Sequence, residues 1–150
     1  MDENLSVINT TKSKLPSLPF LDIKNDILGK KFDLSIVFID EKKSQKFNYQ
    51  YRKKNKPTNI LSFPLSQTSG EILICPKIVR TQLEDFDRNF GEMLAFLVIH
   101  GCLHLKGFEH SAKMERRENF YDKKYFNRNR IGDIHHENSG RRIFKGRKKS

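Results

Sequence analysis

The amino-acid sequence predicts an α+β fold, in which one small mixed β-sheet packs with helices in a single domain. Its 150 residues fit one domain, because domains commonly have about 100 to 150 residues. Short runs of β-branched and aromatic residues occur between longer runs with helical spacing of apolar residues, and the most apolar helix comes late in the chain. This order favours helices packed against one sheet.

Four short segments have the composition of strands. Leu5–Ile8 is a short apolar stretch, and Leu34–Asp40 is dense in β-branched and aromatic residues, as a buried strand is. Thr58–Pro64 and Glu71–Pro76 are two more strand-like runs, bounded by Pro and Gly and joined by the polar linker LSQTSG. We therefore expect one small sheet.

Three segments have helical periodicity. Leu21–Lys30 is amphipathic and closes around Gly29, and Ala112–Phe126 is a more charged helix. Asn89–Lys106 has a broad apolar stripe and ends at Gly107, so we expect it to be the central helix. The segment KKSQKFNYQYRKKNKP, between the second and third strand-like runs, is strongly basic and closes on Pro57.

The net charge of +11 indicates a polyanionic partner, with nucleic acid as the first candidate. Part of this charge lies near the C-terminus. Runs of like charge there commonly form a solvated tail, which is the alternative to a nucleic-acid partner. We predict a domain over residues 1–126 and a flexible basic tail over 127–150. The last ten residues contain six basic side chains and no carboxylate: Arg141, Arg142, Lys145, Arg147, Lys148 and Lys149.

No segment of about 18 apolar residues and no secretory signal occurs, so the sequence predicts a cytoplasmic protein without a membrane partner. The two cysteines, Cys75 and Cys102, are too few for a disulfide framework. We expect both to be buried free thiols.

The segment HGCLHLKGFEH holds three of the five histidines of the chain. His100 and His104 are four residues apart, so a helix places both imidazoles on one side. Gly107 allows a tight turn that brings His110 back toward them. A single histidine on an apolar helix is more often a core residue, but three at this spacing predict a zincin-like site with one Zn²⁺ and an open position.

The same spacing occurs in metzincin proteases, in which Glu follows the first histidine and acts as the general base. Gly101 occupies that position here. The protease hypothesis therefore lacks a residue for the general base, whereas the predicted metal site is unaffected.

A second group of candidates precedes the third strand. Arg52, Lys53 and Lys54 lie in the basic segment, and we expect the short stretch entering the sheet to present a cation to the metal cleft. Arg52 is the best candidate, because its planar guanidinium can bind a phosphate through two hydrogen bonds. The alternative is that Arg52 is one more solvated cation of a basic run.

Three motifs together, HGCLHLKGFEH, YRKKNKPTNILSFP and GEILICP, resemble those of the YbeY family of bacterial rRNA maturation factors. The resemblance covers about Leu34 to His110. Two positions differ from the family pattern: Glu109 stands where the family usually has Asp, and Asn59 where it has the Asp of PTDVLSF. A longer Glu109 side chain would orient a neighbouring ligand less well, and Asn59 keeps the shape but not the charge.

The resemblance implies an α+β fold with one zinc ion and a single-strand-specific metallo-endoribonuclease. It implies a role in 16S rRNA 3′-end maturation and ribosome quality control, at the small ribosomal subunit and with ribosome-associated proteins. It assigns His100, His104 and His110 as metal ligands and Arg52 to activity. Lys53 and Lys54 are expected to hold the RNA backbone beside Arg52.

Three alternatives stay open. The chain could be a non-catalytic ribosome assembly or RNA-binding factor with a structural zinc, although Cys102, between the two helical histidines, would then project away from their shared face. It could be a metalloprotease, or the basic tail could bind rRNA while the core does something else. Three histidines can also hold nickel or copper.

Overall fold

The protein is described by a computed structural model over residues 4–126. Four strands form one sheet in the order β1-β2-β4-β3. They are β1 (Leu5–Asn9), β2 (Asp33–Phe38), β3 (Ile60–Ser66) and β4 (Ser69–Ile74). The predicted α+β class with a small mixed sheet is confirmed, because β1, β2 and β4 are parallel whereas β3 and β4 form an antiparallel hairpin.

Six helices are present among residues 4–126. They are α1 (Phe20–Leu28), α2 (Glu41–Arg52), α3 (Pro76–Thr81), α4 (Leu83–Phe86), α5 (Phe90–Lys106) and α6 (Ala112–Phe126). None of them is long and apolar enough to cross a membrane. The predicted basic segment 127–150 lies outside the described residues.

The main core lies on one face of the sheet, where α1 and α5 pack. Alternate residues of the strands, such as Ile36, Ile60 and Ile72, point to this face and join the buried length of α5 from Met93 to Leu103. The sequence prediction of a central helix is therefore confirmed for α5.

A smaller cluster lies on the other face of the sheet. Ile39, Leu61 and Leu73 form its buried part, and Phe47 of α2 and Phe63 of β3 pack against it. Helix α2 thus lies across the face opposite to α5.

Helix α2 was not expected from the sequence. Its buried residues, Ser44 and Asn48, are polar. The Ser44 hydroxyl donates to the Thr58 carbonyl at 2.7 Å and accepts from the Thr58 N–H at 2.8 Å, while the Asn48 amide donates to the Lys56 carbonyl at 2.9 Å. Side-chain to backbone hydrogen bonds therefore anchor this helix, and hydrophobic periodicity does not reveal them.

Candidate metal centre

Helix α5 carries the first two histidines, and both of its ends are fixed by local chemistry. At its start the Asn89 side chain accepts from the Glu92 N–H at 2.8 Å, and the Glu92 carboxylate accepts from the Asn89 N–H at 3.1 Å. This capping box satisfies two backbone donors that the helix leaves unpaired. From Met93 to Leu103 every residue of the helix is buried, including His100.

A Schellman motif ends α5 and turns the chain back. Gly107 adopts a left-handed conformation with φ of 113°. The Gly107 N–H donates to the His104 carbonyl and the Phe108 N–H to the Leu103 carbonyl, each at 3.0 Å. Because Gly107 takes this conformation without strain, the chain can reverse here and carry His110 toward the helix.

The turn brings the three predicted ligands together. One ring nitrogen from each of His100, His104 and His110 lies within 4.8 Å of the others. Burial falls along the series, since His100 is buried, His104 is half-buried and His110 is exposed. The cluster therefore has one side in the core and one side open to solvent.

Hydrogen bonds set which nitrogen of each helical histidine faces the cluster. His100 Nδ1 donates to the Glu118 carboxylate, and His104 Nδ1 donates to the Phe108 carbonyl at 3.0 Å. Each Nε2 is then left with a lone pair, and the two Nε2 atoms face each other at 3.0 Å. Two acceptors this close suit a shared cation, so the donor set fits a metal ion.

Glu118 of α6 contacts His100 of the histidine cluster, and the sequence motifs do not single it out. Its side chain is 1% exposed, and that of His100 is 3% exposed, so their contact is shielded from water. A buried carboxylate behind a metal-binding histidine orients the ring and makes it a stronger ligand. The sequence gives one indication that Glu118 is buried. It lies four residues after Met114 and three before Tyr121, on the buried face of α6.

Cys102 belongs to the core and not to the metal cluster. It is 0% exposed, and burial raises the pKa of its thiol to about 12. A neutral thiol is a poor metal ligand, since the thiolate is the form that binds. The expectation that Cys102 points away from the face shared by His100 and His104 agrees with this burial, and Cys75 is buried as expected.

Gly101 faces the sheet, where side-chain space is absent. A Cβ added there would lie 2.8 Å from Ile72 Cδ1 and 3.3 Å from Ile60 Cδ1. The position at which metzincins carry their catalytic Glu is therefore filled by neighbouring apolar side chains. This packing weakens the protease alternative further.

The predicted cations lie at the C-terminal end of α2. Arg52 is the last residue of this helix, and Lys53 and Lys54 follow it in the segment that leads to β3. The polar helix was missed because its anchors are hydrogen bonds. Much of Arg52 is exposed, yet the protein surrounds its guanidinium enough that desolvation lowers its pKa from the ordinary value. Lys53 follows in the left-handed conformation, with φ of 62°, and Lys54 is half-buried.

The two residues that depart from the family pattern lie in different surroundings. Asn59 is buried, and its amide donates to the Gln82 side chain at 3.0 Å. Glu109 is exposed to solvent. Of the two carboxylates Glu109 and Glu118, it is therefore Glu118 whose contact with a histidine is shown.

The fold and this site define a class of α+β proteins in which a central helix and the turn after it form a cluster of three histidines that could hold a metal ion. The family model described as Endoribonuclease YbeY matches residues 9–131. The chain belongs to this family, which confirms the resemblance of its motifs.

Individual relatives agree with this assignment. An endoribonuclease YbeY of Pseudoalteromonas translucida is 45% identical over 85 residues, which cover 52% of this chain and 56% of the relative. One from Colwellia psychrerythraea is 39% identical over 94 residues, covering 58% and 61%. The matched region thus spans less than two thirds of these relatives. A solution structure from Thermotoga maritima has a TM-score of 0.58 at 25% identity and covers 90% of this chain and 94% of its own.

Proposed function

We propose that the protein is a zinc-dependent endoribonuclease that cuts single-stranded RNA. Its proposed role is 16S rRNA 3′-end maturation and ribosome quality control in the cytoplasm, with the small ribosomal subunit and ribosome-associated proteins as partners. The observation that carries the proposal is the pair of Nε2 atoms of His100 and His104, held 3.0 Å apart with His110 beside them at the solvent side. Family membership supports the choice of RNA as substrate.

One zinc ion per chain is the proposed occupant. Three neutral imidazoles are a common ligand set for catalytic zinc, and the exposed His110 leaves access from solvent. Bound zinc would supply a Lewis acid toward a phosphate oxygen or a water molecule. The Glu118 carboxylate accepts a hydrogen bond from His100 Nδ1, so the proton stays on Nδ1 and Nε2 is the nitrogen that would bind zinc.

The phosphate backbone is proposed to contact the cations at the end of α2. Arg52 would bind a phosphate through its planar guanidinium and stabilise the negative charge that builds up during cleavage. Lys53 and Lys54 would hold neighbouring phosphates, and this contribution should weaken as salt concentration rises. Desolvation lowers the pKa of Arg52, but the side chain keeps its charge at neutral pH, because arginine is not deprotonated in proteins.

The first experiment measures zinc content and RNA cleavage on the same samples. Wild type, His104→Ala and His135→Ala are purified without metal-affinity columns, and each is given a labelled single-stranded rRNA fragment. We expect one zinc per chain and cleavage in wild type and His135→Ala, and loss of both in a folded His104→Ala protein. His135 provides the matched control, since the same chemical change is made outside the three-histidine motif.

Two other results would contradict the proposal in different ways. Zinc bound by wild type without any cleavage of single-stranded RNA, even when ribosomal subunits are added, would favour the non-catalytic assembly factor. Chelator-sensitive cleavage of casein, with RNA left intact, would favour a protease in spite of Gly101.

Arg52 is tested by three variants on one helix. Arg52→Ala should lower the cleavage rate strongly, and Arg52→Lys should recover only part of it, because an ammonium cannot bind phosphate in the same bidentate way. Lys46→Ala, which removes a cation from the same helix, should change the rate little at physiological salt. Equal rates for all three variants would show that Arg52 is only a solvated cation.

A further inference from the structure

An aromatic surface lies beside the basic residues at the end of α2. The rings of Phe47 and Tyr51 are stacked, with centroids 6.2 Å apart and an interplanar angle of 24°. Tyr51 also contacts the ring of Phe63 on β3, with centroids 4.6 Å apart. We name Phe47, Tyr51 and Phe63 the aromatic platform.

The platform packs on the sheet through two of its rings and exposes the third to solvent. Phe47 and Phe63 pack against the smaller buried cluster of the sheet, whereas Tyr51 is 56% exposed. The spacing of four residues on α2 is what places Phe47 and Tyr51 side by side. An exposed aromatic ring that is fixed by two others loses little conformational freedom when a flat ligand stacks on it.

The charges on the helix side of the platform favour a polyanion, whereas on the sheet side the carboxylate of Glu71 lies opposite Phe63 in the β3–β4 register. Residues 41–56 contain a single carboxylate, that of Glu41, which is paired with Lys77 at 3.5 Å. The same segment contains seven basic residues: Lys42, Lys43, Lys46, Arg52, Lys53, Lys54 and Lys56. An aromatic ring among this many cations is the composition of surfaces that bind single-stranded nucleic acid.

We propose that the platform binds single-stranded RNA by stacking one unpaired base on Tyr51 while the adjacent Arg52 and Lys53 bind its phosphates. This inference rests on the proposed function and adds a reason for single-strand preference. A base within a duplex is already stacked and paired, so it cannot also cover the Tyr51 ring. The ring accepts any base, because every base has a π-face.

Strand β3 connects the platform to the metal centre. Ile60 lies 3.3 Å from the position of a Cβ on Gly101, next to His100, and Phe63 of the same strand contacts Tyr51. These two contacts are three residues apart on the edge strand β3, about 10 Å along it, and they lie on opposite faces of the sheet. An RNA strand that reached both the platform and the three histidines would therefore have to pass around the β3 edge.

A tryptophan reporter tests the stacking directly. The chain contains no Trp, so Tyr51→Trp introduces a single indole whose emission reports on its own surroundings. Tyr49→Trp is the matched control, because Tyr49 is 55% exposed on the same helix but points about 200° away. Both metal-loaded full-length proteins are titrated with 2′-O-methyl oligouridylate, with an abasic strand of equal length and with an RNA duplex, while anisotropy of the labelled strand records binding.

We expect oligouridylate to quench the indole of Tyr51→Trp and to leave that of Tyr49→Trp nearly unchanged. The abasic strand and the duplex should not quench the Tyr51→Trp protein. Tyr51→Ala should weaken oligouridylate binding about five-fold to a hundred-fold, and Tyr51→Phe should bind as wild type does. Folding of each variant is checked by circular dichroism, and Tyr51→Trp keeps the test valid if the alanine variant is unstable.

Each other outcome overturns the inference. If RNA binding saturates without quenching the Tyr51→Trp indole, or if the abasic strand quenches it equally, RNA contacts this surface through charge alone. RNA cleavage in the same samples would then still support the proposed function. Absence of both binding and cleavage would overturn the two proposals together. A blue shift of the Tyr51→Trp emission that depends on protein concentration and needs no RNA would identify the platform as an interface between two copies of the chain.

Discussion

Replacing Gly101 by alanine should strain the packing between helix α5, which carries His100 and His104, and the sheet. The new Cβ would lie 2.8 Å from Ile72 Cδ1 and 3.2 Å from Ile72 Cγ1, and Ile72 is 0% exposed, so it cannot swing into solvent. Overpacking of this kind costs about 1 to 3 kcal/mol. Alanine regains about 1 kcal/mol of helix propensity. We therefore expect Gly101→Ala to lower the free energy of unfolding by about 1 kcal/mol, up to about 2 kcal/mol.

Urea denaturation of metal-free protein measures this change without a contribution from zinc binding. Gly91→Ala is the matched control on the same helix, since its Cβ would make only ordinary contacts, the nearest being Pro16 Cγ at 3.5 Å. It should leave stability unchanged or raise it slightly. Destabilisation of both variants by the same amount would show that the effect is not specific to the sheet contact.

A double-mutant cycle with Ile72→Val tests the mechanism. This change removes Cδ1, the atom nearest to the added Cβ, and by itself should cost about 0.5 to 1.5 kcal/mol. In the Gly101→Ala background it should cost about 0.5 to 1 kcal/mol less, as is found for residues in contact. Additivity of the two changes to within about 0.3 kcal/mol would refute the steric argument.

Three further predictions concern the metal centre, the contact between α1 and α6, and the end of α2. Glu118→Gln keeps an acceptor for His100 but removes the negative charge, so the zinc affinity should fall about ten-fold to a hundred-fold. Chelator competition measures this affinity, and Glu115→Gln is the control that should leave it unchanged. Equal zinc affinities of the wild type and Glu118→Gln would show that Glu118 does not support the site. Hydrogen bonds from Lys124 and Tyr125 lower the pKa of Asp26 from 3.8. Asp26→Asn should therefore cost about 0.5 to 1 kcal/mol at neutral pH, and the difference should vanish as the pH falls below about 4 and Asp26 is protonated; a pH-independent difference would contradict this. Lys53→Gly relieves the left-handed backbone, so stability should rise by about 1 kcal/mol while the salt dependence of RNA binding becomes shallower by about one charge; an unchanged salt slope would mean that Lys53 contacts no phosphate.

The elements that the sequence predicts well are those with a strong hydrophobic period. Helix α5 follows from the stripe that includes Met93 and Leu97 and from Gly107, and its observed limits differ from the predicted ones by one residue. Strand β4 follows from the continuous apolar run ILIC, which is typical of a strand with a neighbour on each side. In both cases burial of apolar surface dominates the local choice of structure.

The elements that escaped prediction depend on contacts between distant parts of the chain. The anchors of α2 are the hydrogen bonds of Ser44 and Asn48 with the segment before β3, 14 and 8 residues further on. Helices α3 and α4 are only 6 and 4 residues long, too short to show a period. The contact of Glu118 with His100 spans 18 residues and depends on how α6 packs on α5. The cluster of three histidines could thus be predicted from spacing, but the carboxylate behind it could not.

The arrangement of the metal centre bears on whether a metal ion would be structural or catalytic. His100 and Glu118 are buried within helices whose apolar residues form the main core, so we expect that core to hold both side chains without a metal. In small zinc-folded domains the metal instead provides most of the folding free energy. Zinc bound to this centre would add stability only through its affinity for the folded state, as any ligand does. The exposed His110 leaves solvent access to the centre, and a centre that the fold did not need for its own stability would be free to serve chemistry.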